Sequence, residues 1–112
     1  MNIALPPLIG LALVASSAGA LANAGHQFLQ SLSDSARNQR FTEMLVQMPG
    51  NCVVERNFFR GFDAERAAFW SAGCKNKEAY ALKILDDGKG GSRIMDCRVL
   101  MARAKDDCFA KM

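Results

Sequence analysis

The chain has 112 residues with 14 basic and 11 acidic side chains, a net charge of +3, and no Asp, Glu, Lys or Arg in residues 1 to 24. That asymmetry divides an apolar leader from one small charged domain, and it excludes a multidomain enzyme. Acidic residues are interspersed among the basic ones, so no footprint for nucleic acid stands out, and a domain of about 90 residues needs staples because it buries only ~60–65% of its unfolded surface.

In chain order, Leu8 to Ala15 is a short apolar run, followed by Ser16, Ser17, Ala18, Gly19 and Ala20 and then by Ala22-Asn23-Ala24, an A-x-A pattern. This is the layout of a secretory signal peptide over residues 1–24, cleaved before Gly25, with residues 25–112 as a single disulfide-stabilised α+β domain. Met1 to Pro7 carries no Lys or Arg, so only the α-amino group supplies orienting charge there. The alternative for 1–24 is a membrane anchor, since ~20 uncharged residues would span a bilayer; Pro6-Pro7 and the many Ala, Gly and Ser residues make it a poor one. The expected location is periplasmic or secreted, with membrane contact only if the leader is retained.

Between Phe28 and Met48 the apolar residues Phe28, Leu29, Leu32, Ala36, Phe41, Met44, Leu45 and Met48 recur at three- and four-residue steps. The spacing predicts an amphipathic helix, or two short ones if Ser33-Asp34 acts as a cap or break. Pro49-Gly50-Asn51 ends it, and strands are predicted at about 52–60, 66–74, 79–85 and 92–99. A turn near Gly61 to Glu65 joins the first two, although Asp63 is also able to cap a short helix there. The Asp86 to Gly91 loop joins the last two and sets Tyr80 opposite Cys97 and Leu82 opposite Met95. A short helix is expected from Leu100 to Lys105. The fold class is therefore α+β: an N-terminal amphipathic helix, a three- to four-stranded antiparallel β-meander, a short C-terminal helix and two disulfides.

Cys52, Cys74, Cys97 and Cys108 all follow the leader, and none is spaced as C-x-x-C, so structural disulfides are expected rather than zinc, haem or thiol chemistry. A hairpin centred near residues 63 to 64 places Cys52 opposite Cys74, within the Cα separation of about 4.4–6.8 Å that a disulfide needs. In a simple meander the second and fourth strands lie ~9.6 Å apart, which disfavours Cys74 with Cys97. The preferred pairing is Cys52 with Cys74 and Cys97 with Cys108; the alternative is Cys74 with Cys97 and Cys52 with Cys108.

No residue set points to catalysis, and no cofactor or metal is expected. Gly88-Lys89-Gly90-Gly91-Ser92 lacks the phosphate-loop spacing and reads as a hairpin tip. The doublets Asp86-Asp87 and Asp106-Asp107 lack calcium-loop spacing and read as solvated loop charges. His26, the only histidine, stands beside the expected cleavage point, where no catalytic triad can be built around it. Phe58-Phe59 and Phe69-Trp70 are consecutive, so each pair sends one ring to either face of the sheet. Phe59 is expected in the core with Val53. Arg56, Phe58 and Arg60 share the other parity, and Arg with an exposed aromatic is typical of binding hot spots, so this trio is the expected partner contact.

The run Ala68-Phe69-Trp70, Cys74 through Tyr80 to Ile84, Asp87, Cys97-Arg-Val-Leu100 and Cys108-Phe109-Ala-Lys111 resembles a group of small exported proteobacterial proteins of unknown function. The resemblance covers about 45 residues and implies export and shared cysteine placement, with no catalytic residue to carry over. The expected function is an exported non-enzymatic binding or accessory module of the bacterial cell envelope, with a protein or anionic envelope component as partner and no nucleic acid. The alternatives are a membrane-anchored small subunit of an envelope complex, or a small hydrolase or toxin-like enzyme.

Overall fold

A computed structural model describes residues 23–112, so the leader reading for residues 1–22 lies outside the described residues. Two helices come first, α1 (Ala24–Ser31) and α2 (Asp34–Met44), the second running into a 3-10 turn at Leu45–Gln47. The break falls at Ser33, whose hydroxyl accepts from the Ala36 N–H at 3.1 Å and caps α2. The helical segment begins before Phe28, because Asn23 caps α1 through a bond from the His26 N–H to its Oδ1. Four strands follow, β1 (Val54–Phe62), β2 (Ala68–Cys74), β3 (Ala79–Ile84) and β4 (Ser92–Asp96), paired in the order β1-β2-β3-β4 as an antiparallel meander. The chain ends with α3 (Cys97–Ala104) and a short tail.

Both preferred disulfides are present: Cys52 with Cys74 at a Cα separation of 5.2 Å, and Cys97 with Cys108 at 5.7 Å. The first hairpin is the reason for the first bridge, since Val54 pairs with Cys74 and leaves Cys52 just beyond the strand end. Asp63 makes the turn, its Oδ1 accepting from the Glu65 and Ala67 N–H groups, so the short-helix alternative is not realised.

The second hairpin differs from expectation by one residue. Tyr80 pairs with Asp96 and Leu82 with Ile94, because the loop closes with the Leu85 N–H on the Gly91 carbonyl and leaves an odd number of residues, Asp86 to Gly90, between them. A one-residue slip exchanges faces. Ile94 consequently joins the core beside Leu82, and Met95 turns to the opposite side beside Ala81. β4 also stops earlier than expected and α3 starts earlier, since the Asp96 side chain accepts from the Arg98 N–H and caps a helix that begins at Cys97.

The hydrophobic core lies between the helices and one face of the sheet, and Phe41, Leu45, Ala72 and Leu82 within it are fully buried. Phe59 and Trp70 face this side, with ring centroids 5.0 Å apart, and Phe58 and Phe69 face the other. The partner expected for Phe59 is corrected: Val54 enters the core, and Val53 is half exposed. A bulge at Arg60, between the pairs Phe59–Trp70 and Gly61–Phe69, shifts the parity of the strand. It lets Phe62, three positions after Phe59, return to the same face, where the two rings meet edge-to-face at 5.2 Å.

Candidate contact surface

The face of the sheet opposite the helices carries two rows of side chains, Phe69–Lys83–Arg93 and Phe58–Ser71–Ala81–Met95, each set by the cross-strand register. The C-terminal tail crosses its β1 end. The bulge frees Arg60 from cross-strand pairing, and its guanidinium reaches Asp106 with Nη2 at 2.7 Å and Nη1 at 3.1 Å, while Nε donates to the Ala110 carbonyl at 2.9 Å. The Arg60 carbonyl accepts from the Met112 N–H at 3.1 Å, and the Ser71 hydroxyl donates to the Cys108 carbonyl. A forked, charge-assisted pair of this kind holds geometry as well as charge.

Each member of the sequence-derived trio therefore has a definite place. Arg60 is only 3% exposed and is occupied by the tail, contrary to the wet position that strand parity alone predicts. Parity omits both the bulge and the distant tail. Arg56 is exposed, and its guanidinium carbon lies over the Phe109 ring at 3.8 Å from the centroid, a cation–π contact. Gly73 makes room for it, since a Cβ there would lie 2.6 Å from Arg56 Nε. Phe58 is half-buried on the same face.

Farther along that face, the tail and α3 leave a groove of about 440 Å3 over β3 and β4. Its floor is apolar, with Phe69, Ala81 and Met95, and its walls include Leu100 and Met112. Met95 and Met112 are 46% and 56% exposed. Lys83 and Arg93 supply positive charge, and Lys83 is drawn 3.6 Å from Asp63 while Arg93 has no ion-pair partner among the described residues. α3 buries none of its residues although Val99 and Met101 are apolar. Sequence reasoning missed this surface. The cue for it is the methionine content of the C-terminal quarter, since flexible thioethers suit adaptable contact surfaces.

The titratable groups elsewhere serve the fold. His26 is buried, accepts from Trp70 Nε1–H through Nδ1 at 3.1 Å and packs 4.6 Å from the Phe59 ring, so it is a core residue rather than part of a loose terminus. Burial holds its pKa below the ordinary histidine value, and the Arg37 charge adds to the effect. Asp87 accepts from the Lys89 and Gly91 N–H groups, and this bonding lowers its carboxyl pKa. Asp96 is lowered by its bond from the Arg98 side chain, and Tyr80 is raised by burial and by its bond to Glu78. Among the described residues there is no cluster of three or more His, Cys, Asp or Glu able to hold a metal ion, and no helix is long and apolar enough to cross a membrane. No family model, curated protein or solved structure matches the chain.

Proposed function

We propose that the chain is an exported, non-enzymatic binding or accessory module of the bacterial cell envelope, with the groove between α3 and the β3–β4 face as its contact surface. The observation that carries this reading is an apolar floor left open beside α3, none of whose residues is fully buried, with Arg93, which has no ion-pair partner among the described residues, at its edge. Burying such a surface is favourable at roughly 25 cal/mol per Å2, and the positive edge selects what enters. A protein segment presenting an apolar side chain next to a carboxylate fits both features. Two disulfides with no thiol left over suit an oxidising compartment, which supports export, and the resemblance to small exported proteobacterial proteins agrees with it. In this arrangement Arg60 and Asp106 hold the wall of the groove, and Arg56 and Phe58 continue the contact surface toward β1.

The test places a photo-reactive side chain at Met95 and, as a control, at Lys75 in the exposed turn between β2 and β3. Cross-linking in the envelope should give a discrete protein adduct from Met95 alone, lost when Arg93 is changed to Glu. Equal adducts from both positions, or an adduct indifferent to Arg93→Glu, overturn the groove as the contact surface.

A further inference from the structure

Asn23 is buried and has left-handed backbone angles, φ 45° and ψ 70°. Its Nδ2 donates to the Arg66 carbonyl at 2.7 Å and the Ile84 carbonyl at 3.2 Å, and its Oδ1 accepts from the His26 N–H at 3.0 Å. Its backbone nitrogen lies 2.7 Å from Asp86 Oδ1. The other oxygen of Asp86 accepts from Arg66 Nε at 3.1 Å. Asn23 thus ties the start of α1 to the ends of two hairpins. The cleavage point expected from Ala22-Asn23-Ala24, before Gly25, would remove it.

We propose that the leader is removed between Ala22 and Asn23, so that the mature chain begins at Asn23 and its new α-ammonium group pairs with Asp86. The inference rests on the export reading above and deepens it. The sequence offers the site, since Ala20-Leu21-Ala22 is an A-x-A pattern two residues upstream of Ala22-Asn23-Ala24 and shares Ala22 with it. The step is hydrolysis by a leader peptidase: the Ala22–Asn23 amide breaks, Ala22 takes the hydroxyl of water and leaves as a carboxylate, and the Asn23 nitrogen takes the protons.

The structure distinguishes the two sites by what each new terminus would meet. A cut before Gly25 strips the donors from the Arg66 and Ile84 carbonyls, removes the α1 cap, and puts a charged amine on the half-buried Gly25. Leaving buried polar groups unpaired and desolvating a charge both oppose folding. A cut before Asn23 keeps every one of those bonds and turns a neutral N–H donor into a charged one facing a carboxylate. It also releases the left-handed backbone constraint, because a first residue has no preceding carbonyl to clash with. Asn23 is buried once the domain forms, so cleavage precedes docking of α1.

The experiment exports the full chain with its own leader in a Gram-negative host and reads the purified product by intact mass and N-terminal sequencing. The expected start is Asn-Ala-Gly-His. A start at Gly25 or Leu21 overturns the cut site while leaving export intact, and a start at Met1 overturns the export reading together with the inference. The ion pair is tested separately by acylating the folded protein with an amine reagent near neutral pH. An ion pair that favours the charged amine tenfold slows labelling of the Asn23 α-amine by about tenfold relative to an Asp86→Asn variant. Equal rates overturn the pairing with Asp86.

Discussion

On the helix side of the sheet Phe41 and Leu82 are fully buried and Trp70 nearly so, whereas on the opposite side Met95 and Met112 remain about half exposed. The two faces are closed by different chemistry. Two amphipathic helices cover the first with aliphatic and aromatic side chains, and polar groups there are paired inside the protein, the Trp70 indole with His26 and the Asn23 amide with the Arg66 and Ile84 carbonyls. The second is covered at its β1 end by a chain terminus held through a buried guanidinium, a disulfide and one stacked arginine. Apolar burial is the main stabilising term, so stability is concentrated on the helix face. The tail face is therefore freer to carry a contact surface.

Four measurements would break or sharpen that contrast. Phe41→Ala, at a fully buried site, should cost about 3–5 kcal/mol in denaturant unfolding, while Met95→Ala should cost less than about 1 kcal/mol because half of its side chain is already in water. Comparable losses would mean that the faces are energetically alike. Replacing Cys97 and Cys108 together by Ala should cost about 3 kcal/mol by loop entropy and open the tail to limited proteolysis while the β1–β3 region stays protected. Simultaneous digestion of both regions would show that the tail folds as one unit with the sheet.

Smaller again is Asp106→Ala, which leaves Arg60 buried with only the Ala110 and backbone bonds. The expected cost is about 1–3 kcal/mol, kept modest because the Asp106 side chain is 40% exposed and already screened by water. A variant as stable as the parent would show that Arg60 rehydrates by displacing the tail.

The smallest effect concerns pH. His26 accepts from Trp70 in its neutral form, and burial lowers its pKa, so below about pH 6.5 the unfolded chain binds the proton more readily than the folded one. Stability of the helix face should therefore be fully present above pH 6.5 and decline as the pH falls below it. The decline ends once the pH passes below the folded pKa. His26→Gln retains an acceptor for the indole and should abolish that dependence in melts between pH 5 and 7, as about neutral Gln does not titrate there. An unchanged slope would assign the acid sensitivity to another group.

Several features are legible in the sequence because they depend on neighbours a few residues away. The helical period between Leu29 and Leu45, the cap at Ser33, the turn residues at Asp63 and Asp86 to Gly90, and the consequent meeting of Cys52 with Cys74 all follow from local spacing. The alternation of Phe58 with Phe59 and of Phe69 with Trp70 likewise predicts aromatic rings on both faces. Other features depend on contacts between segments remote in the chain. The bulge at Arg60 is stabilised by Asp106, Ala110 and Met112, and the Trp70 indole that bonds His26 and the Arg66 and Ile84 carbonyls that bond Asn23 lie more than forty residues later in the chain. The one-residue register of β4 was decided by whether Ile94 or Met95 fills the core beside Leu82, a packing choice between side chains of similar hydrophobicity. Periodicity records which residues prefer to leave water; which partner receives each of them is set only when the distant segments meet.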